Sequence, residues 1–172
     1  MAKQTVFLDA NIIIEAFRIE VWKELAQGWQ LETVAKCSEE ALTGDTSRAG
    51  RVQVDAAQLQ AGLHQVHPVS RAERNKLLAN YPSCANLDDG EKDLFAYLNA
   101  HRPLPSVLLV STADKGAIVR LHELGWIDHL TSLEELLRKT TATNLKVAAL
   151  GDAYSLRFLS RVRTDVLMGV IP

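Results

Sequence analysis

At 172 residues, with 47% hydrophobic and 23% charged residues and a formal net charge of −2, the chain has ordinary globular make-up and enough length for one domain with a real core. No apolar run approaches the ~20 residues that span a bilayer, and Ala2 to Thr5 lack a signal peptide's basic region, so a cytoplasmic protein is expected. Cys37 and Cys84 form no CxxC pair and provide neither a disulfide framework nor a zinc set.

The first predicted element is a strand over Thr5–Leu8, apolar without polar alternation, which stops at Asp9. A helix is predicted over Ile12–Ala26, then a strand over Gln30–Val34 and a helix over Ala35–Leu42 that carries Glu39 and Glu40. The stretch from Thr43 to Arg51 is polar, contains Gly44 and Gly50, and reads as a loop. A helix over Ala56–Leu63, a strand over Gln65–Val69 and a helix over Arg71–Ala79 follow. Acids then crowd the start of a helix over Glu91–Ala100: Asp88, Asp89, Glu91 and Asp93. A second fully apolar strand, Val107–Val110, leads through Ser111, Thr112 and Ala113 to Asp114 and a helix over Lys115–Leu124. A short strand over Ile127–Leu130 and a helix over Leu133–Lys139 close the series. The alternation predicts an α/β fold with a central, mostly parallel sheet flanked by helices.

Four acidic positions therefore fall at or near helix starts. Acids there are favoured by the helix dipole and as caps, and Asp88 with Glu91 has capping-box spacing. Caps do not account for Asp9 and Asp114 both following fully apolar strands, at the edge where open α/β sheets bind ligands. Converged carboxylates repel one another unless a cation neutralises them, and oxygen-only ligation favours Mg²⁺ or Mn²⁺ over zinc.

In order and rough spacing, Phe7-Leu8-Asp9-Ala10-Asn11, Glu39-Glu40, Gly90-Glu91-Lys92-Asp93-Leu94 and Ser111-Thr112-Ala113-Asp114 resemble the acidic pattern of PIN-domain nucleases. The likeness spans about residues 5 to 137. It implies a three-layer PIN-like domain over residues 1–139, with a basic, helical extension over 140–172. It also implies a metal-dependent ribonuclease site with Asp9, Glu40, Asp93 and Asp114 as the acids. Asp9, Asp93 and Asp114 are then the expected ligands of Mg²⁺ or Mn²⁺. Glu40 would act through water, with Glu39 as the alternative second acid. Asn11 and Thr112 are expected as supporting hydrogen-bond partners, Glu91 as an auxiliary ligand or a cap, and Lys115 as a phosphate contact.

The implied substrate is RNA, and the likeness to bacterial toxin-type PIN ribonucleases brings a small antitoxin-like protein and a homodimer into view as partners. A competing reading is a PIN-like scaffold that binds RNA or protein without catalysis. A phosphatase with Asp9 as nucleophile lacks the second aspartate of a DxD start, because Asn11 stands there. The scattered histidines complete no zinc set, and no GxSxG elbow, Walker loop or GxGxxG is present.

Residues 138 to 163 carry six Lys or Arg against one acid, Asp152, which leaves 13 basic and 20 acidic residues elsewhere. Apolar residues at helical spacing (Leu150, Tyr154, Phe158, Val162) give this basic segment a face that needs burial. Packing within the chain or against another subunit is the first expectation for it, and RNA backbone contact the second.

Overall fold

A computed structural model describes residues 3–43, 52–102, 104 and 106–171. Four strands, β1 (Thr5–Leu8), β2 (Gln30–Val34), β3 (Gln65–His67) and β4 (Leu108–Ser111), form one all-parallel sheet in the order β3-β2-β1-β4. Each parallel return needs a helical crossover. These are α1 (Ala10–Arg18) with α2 (Trp22–Gly28), α3 (Ala35–Thr43) with α4 (Ala56–Gly62), and α5 (Arg71–Asn80) with α6 (Asp89–His101). After β4 come α7 (Lys115–Glu123), α8 (Leu133–Arg138), α9 (Asn144–Ala148) and α10 (Leu156–Leu167). Among the described residues no helix is long and apolar enough to cross a membrane.

The unbroken apolar run of β1 follows from its position. It is central, and successive side chains enter opposite layers. Val6 and Leu8 pack with Ile12, Ile13, Leu25 and Leu133, whereas Phe7 packs with Leu94, Phe95, Val110 and Ile118. The result is a three-layer helix–sheet–helix arrangement with the C-terminal ends of β1 and β4 adjacent at one edge.

The loop expected over Thr43–Arg51 lies, apart from Thr43 in α3, outside the described residues. Elsewhere the structure departs from expectation at three places. The helix expected over Ile12–Ala26 is broken in two: Glu20 adopts φ +57°, which turns the chain so that Ile19, Val21 and Trp22 are all buried. A left-handed non-glycine residue costs about 1–2 kcal/mol, less than the burial of those apolar side chains returns.

The fifth strand, expected over Ile127–Leu130, does not form. Ile127–His129 is a single 3₁₀ turn, and pairing is limited to one parallel bridge between Val110 and Leu130. The His129 ring nitrogen Nδ1 lies 3.1 Å from the Leu108 carbonyl, occupying an edge group that a further strand would use.

The basic extension folds back onto the body. α10 buries Leu159, Val162 and Val166 in the same core as α7; of the face expected from Leu150, Tyr154, Phe158 and Val162, Val162 is buried and the other three are half-buried against the core. Three of the six basic side chains of residues 138–163 are tied by polar contacts. Arg138 pairs with Glu134 (2.6 Å), Lys146 with Glu24 (2.8 Å), and Arg163 donates to the Leu130 carbonyl (2.7 Å).

Candidate active site

Asp9 is the first residue beyond β1, and its backbone N–H continues the ladder by donating to Ser111 O at 3.1 Å. Its side chain caps α1 and is only 3% exposed. Oδ1 accepts from the Ala10 N–H at 2.6 Å, Oδ2 accepts from the Thr112 hydroxyl at 2.8 Å, and Cys37 Sγ lies 3.8 Å from Oδ1. Thr112 Oγ1 in turn accepts from the Asp114 N–H (3.2 Å), and Asn11 Oδ1 accepts from the Ala113 N–H (3.4 Å). Asn11 and Thr112 thus tie the end of β1 to the turn after β4. Asp114 caps α7 through the Ala117 N–H (2.9 Å) with its carboxyl exposed, and Lys115 beside it is exposed too.

The third and fourth sides of this cluster come from α6 and α3. Asp88 and Glu91 form a complete capping box, with the Glu91 N–H donating to Asp88 Oδ1 at 2.8 Å. The cap explanation is therefore realised, and yet Glu91 is 5% exposed and turned toward the other acids. Glu40 Oε1 accepts from the Gly90 N–H at 3.0 Å, whereas Glu39 is exposed and paired with Lys36 (3.0 Å). Of the two candidate second acids, Glu40 is the one at the cluster.

Burial and mutual charge act on the same carboxylates. Burial raises Asp9 to about 6, with the charges of Asp88 and Asp114 adding to it against the two hydrogen bonds. Burial raises Glu91 to about 8, followed by the charges of Asp9, Asp88 and Asp114. Glu40 is raised by burial and then by Asp88, and the Cys37 thiol is pushed well up by burial and then by Asp9 and Glu40.

Asp93, expected as the third acid, is held elsewhere. Arg74 of α5 clasps its carboxylate through Nε (2.8 Å) and Nη2 (2.6 Å). Two residues advance a helix by about 200°, so Glu91 and Asp93 face different ways, and Glu91 is the one that feels the charge of Asp9. Asp88 also belongs to the cluster, and its signal in the sequence was the capping-box spacing, which fixes an acid beside Glu91 at the helix start.

Among the described residues no three His, Cys, Asp or Glu side chains converge closely enough to hold a metal ion as they stand. The donor chemistry nevertheless fits a hard divalent cation. All the acids offer oxygen, and Asp9 and Glu91 are raised in part by neighbouring negative charge that such a cation would offset.

Comparison with protein-family models, with curated proteins and with solved structures finds no match for this chain in any of the three.

Proposed function

We propose that the chain is a PIN-like, divalent-metal-dependent endoribonuclease. The observation that carries this reading is the buried Asp9 at the joined ends of β1 and β4, with Glu91, Asp88 and Asp114 close enough for their charges to act on one another. Asp9, Glu91 and Asp114 would hold Mg²⁺ or Mn²⁺. When bound, such an ion supplies charge neutralisation at a phosphoryl oxygen and a more acidic water.

The chain's own groups do the rest. The Ala10 N–H and the Thr112 hydroxyl fix both oxygens of Asp9, so little reorganisation is left for the moment of reaction. Glu40 uses Oε1 for Gly90, which leaves Oε2 to accept a proton from an attacking water. Its raised pKa brings that proton affinity nearer to neutral pH, where general bases work best. Lys115, exposed in the first turn of α7 beside Asp114, would meet a backbone phosphate.

The test is cleavage of a mixed single-stranded and structured RNA pool with Mg²⁺, Mn²⁺ or EDTA, beside a folded Asp9→Asn, Glu91→Gln double variant. Metal-dependent cutting that the variant loses supports the reading. Equal cutting by both proteins sinks it.

A scaffold that binds without catalysis is the second reading, and one observation favours it: Arg74 neutralises an acid, Asp93, that the family pattern would spend on metal. Mn²⁺ binding without hydrolysis of any RNA in the pool would select this reading over the first.

A further inference from the structure

Glu15 lies in α1 four residues after Asn11, on the same helix face. It is only 4% exposed, and a buried carboxylate costs several kcal/mol unless donors surround it. Three donors do. Arg18 Nη2 (2.6 Å) and the Gly151 N–H (2.7 Å) both reach Oε1, and Arg18 Nε reaches Oε2 at 2.7 Å. The same Arg18 donates to the Ala149 carbonyl (2.7 Å), and Lys146 donates to the Glu20 carbonyl (2.6 Å) and to Glu24 (2.8 Å). Residues 146–156 are thus strapped across α1, the turn at Glu20 and α2, and the far end is pinned where the Leu156 N–H meets Glu134 on α8 at 2.8 Å.

Gly151 leaves room for the Tyr154 ring within the strap. A Cβ there would stand 3.2 and 3.3 Å from the Tyr154 ring and 3.5 Å from Glu15 Oε1. Tyr154 packs against the α1 side of the core, and Asp9 is near enough for its charge to reach the phenol. The opposite end of the same α1 face carries Asn11, whose bond to the Ala113 N–H is long at 3.4 Å and so sensitive to any roll of the helix.

We propose that Glu15 is a positioning residue for the candidate active site: by locking the 146–156 strap onto α1 it sets the roll of that helix and holds Asn11 and Asp9 against the turn after β4. The inference rests on the reading of Asp9 and Asn11 as site residues. It makes the C-terminal extension a working part of the site and explains a buried acid that the acid cluster does not use.

The test is amide hydrogen exchange on metal-free full-length protein, comparing wild type with Glu15→Ala and Glu15→Gln, followed by Mn²⁺ titration of each. Expected in Glu15→Ala is a loss of protection of about tenfold or more at Gly151 and at Ala113, with the Gln30 amide, bonded to the Gln4 carbonyl, unchanged. Glu15→Gln keeps an oxygen for the Gly151 N–H and should restore most of both. Mn²⁺ affinity should fall in Glu15→Ala and recover in Glu15→Gln. Loss at Gly151 with Ala113 unaltered would reduce the strap to a cover and overturn the proposal, as would no change at either amide. Should Glu15→Ala not fold, Glu15→Gln and Arg18→Ala carry the same comparison. Wild-type protein that binds no Mn²⁺ would sink the nuclease reading, while the exchange result would still decide the role of Glu15.

Discussion

The backbone N–H of Gly90 donates to Glu40 at 3.0 Å, and the absence of a side chain on Gly90 is what lets that carboxylate lie against α6. An alanine Cβ would overlap Glu40 Oε2 and stand 3.2 Å from Cys37 Sγ. Alanine gains about 1 kcal/mol in a helix, and overpacking costs roughly 1–3 kcal/mol. Glu40 can swing away, so the two nearly cancel. Gly90→Ala should melt within a few degrees of wild type while, under the proposed nuclease reading, RNA cleavage drops on the order of 10²-fold, the usual worth of a displaced general base. A large fall in melting temperature would show that the contact is structural instead.

Asp9 makes stability depend on pH in a defined sense. Its carboxyl titrates near 6 when folded and near 3.8 when unfolded, so the folded state holds the proton more tightly. That contribution is fully present below about pH 3.8 and is lost as pH rises through 6, a span worth about 3 kcal/mol. Metal-free protein should therefore lose stability between pH 4 and 7, and Asp9→Asn should be the more stable protein at pH 8. Denaturant melts across that range check it. Mg²⁺ should raise the wild-type midpoint at pH 8 and leave the variant's unmoved.

Glu91 and Asp93 should separate cleanly under substitution. Glu91→Gln removes an acid from the cluster and is expected to abolish cleavage, by about 10²-fold or more. Asp93→Asn breaks the Arg74 contact at 33% exposure of the arginine, so it should cost on the order of 1 kcal/mol of stability and little activity. The reverse order of activity loss would restore Asp93 as the metal-binding acid.

Much of this was legible in the chain. Asp9 and Asp114 stand out because each follows a strand apolar on both faces, and Asn11 and Thr112 because they flank those acids in the same turns. What could not be read was helix facing. Glu91 and Asp93 differ by the identity of their neighbours, the other acids for one and Arg74 of α5 for the other, and Arg74 lies 19 residues away in sequence. Glu39 and Glu40 pose the same problem on α3, decided by the Gly90 amide 50 residues on. The break at Glu20 was hidden because the apolar run through Ile19, Val21 and Trp22 looks continuous until the turn that buries all three is in place.

A polar pair inside the sheet was also invisible to pattern reading. Glu32 of β2 and His67 of β3 are 2% and 4% exposed and lie 2.7 Å apart, with the His67 ring stacked on Tyr97. Gln30 Nε2 donates to Glu32 Oε1 at 3.0 Å. His67→Ala leaves Glu32 without its nearest partner and also opens a void beside Tyr97, so a loss of about 3–5 kcal/mol is expected. Equilibrium unfolding measures it. A loss under about 1 kcal/mol would mean that Arg102, 3.5 Å from Glu32, takes over the pairing.

The strand order β3-β2-β1-β4 sets a timetable for assembly. The first strand made is one of the last to be flanked on both sides. The Thr112 hydroxyl that steadies Asp9 is translated 103 residues later, and the Gly151 amide that meets Glu15 comes 136 residues after its partner. Contacts so distant along the chain are slow to form. A growing chain consequently carries Asp9 held only by the neighbouring Ala10 N–H, and the Thr112 contact and the charge of Asp114 come much later. Under the proposed nuclease reading, the acids come together only after most of the chain has been made.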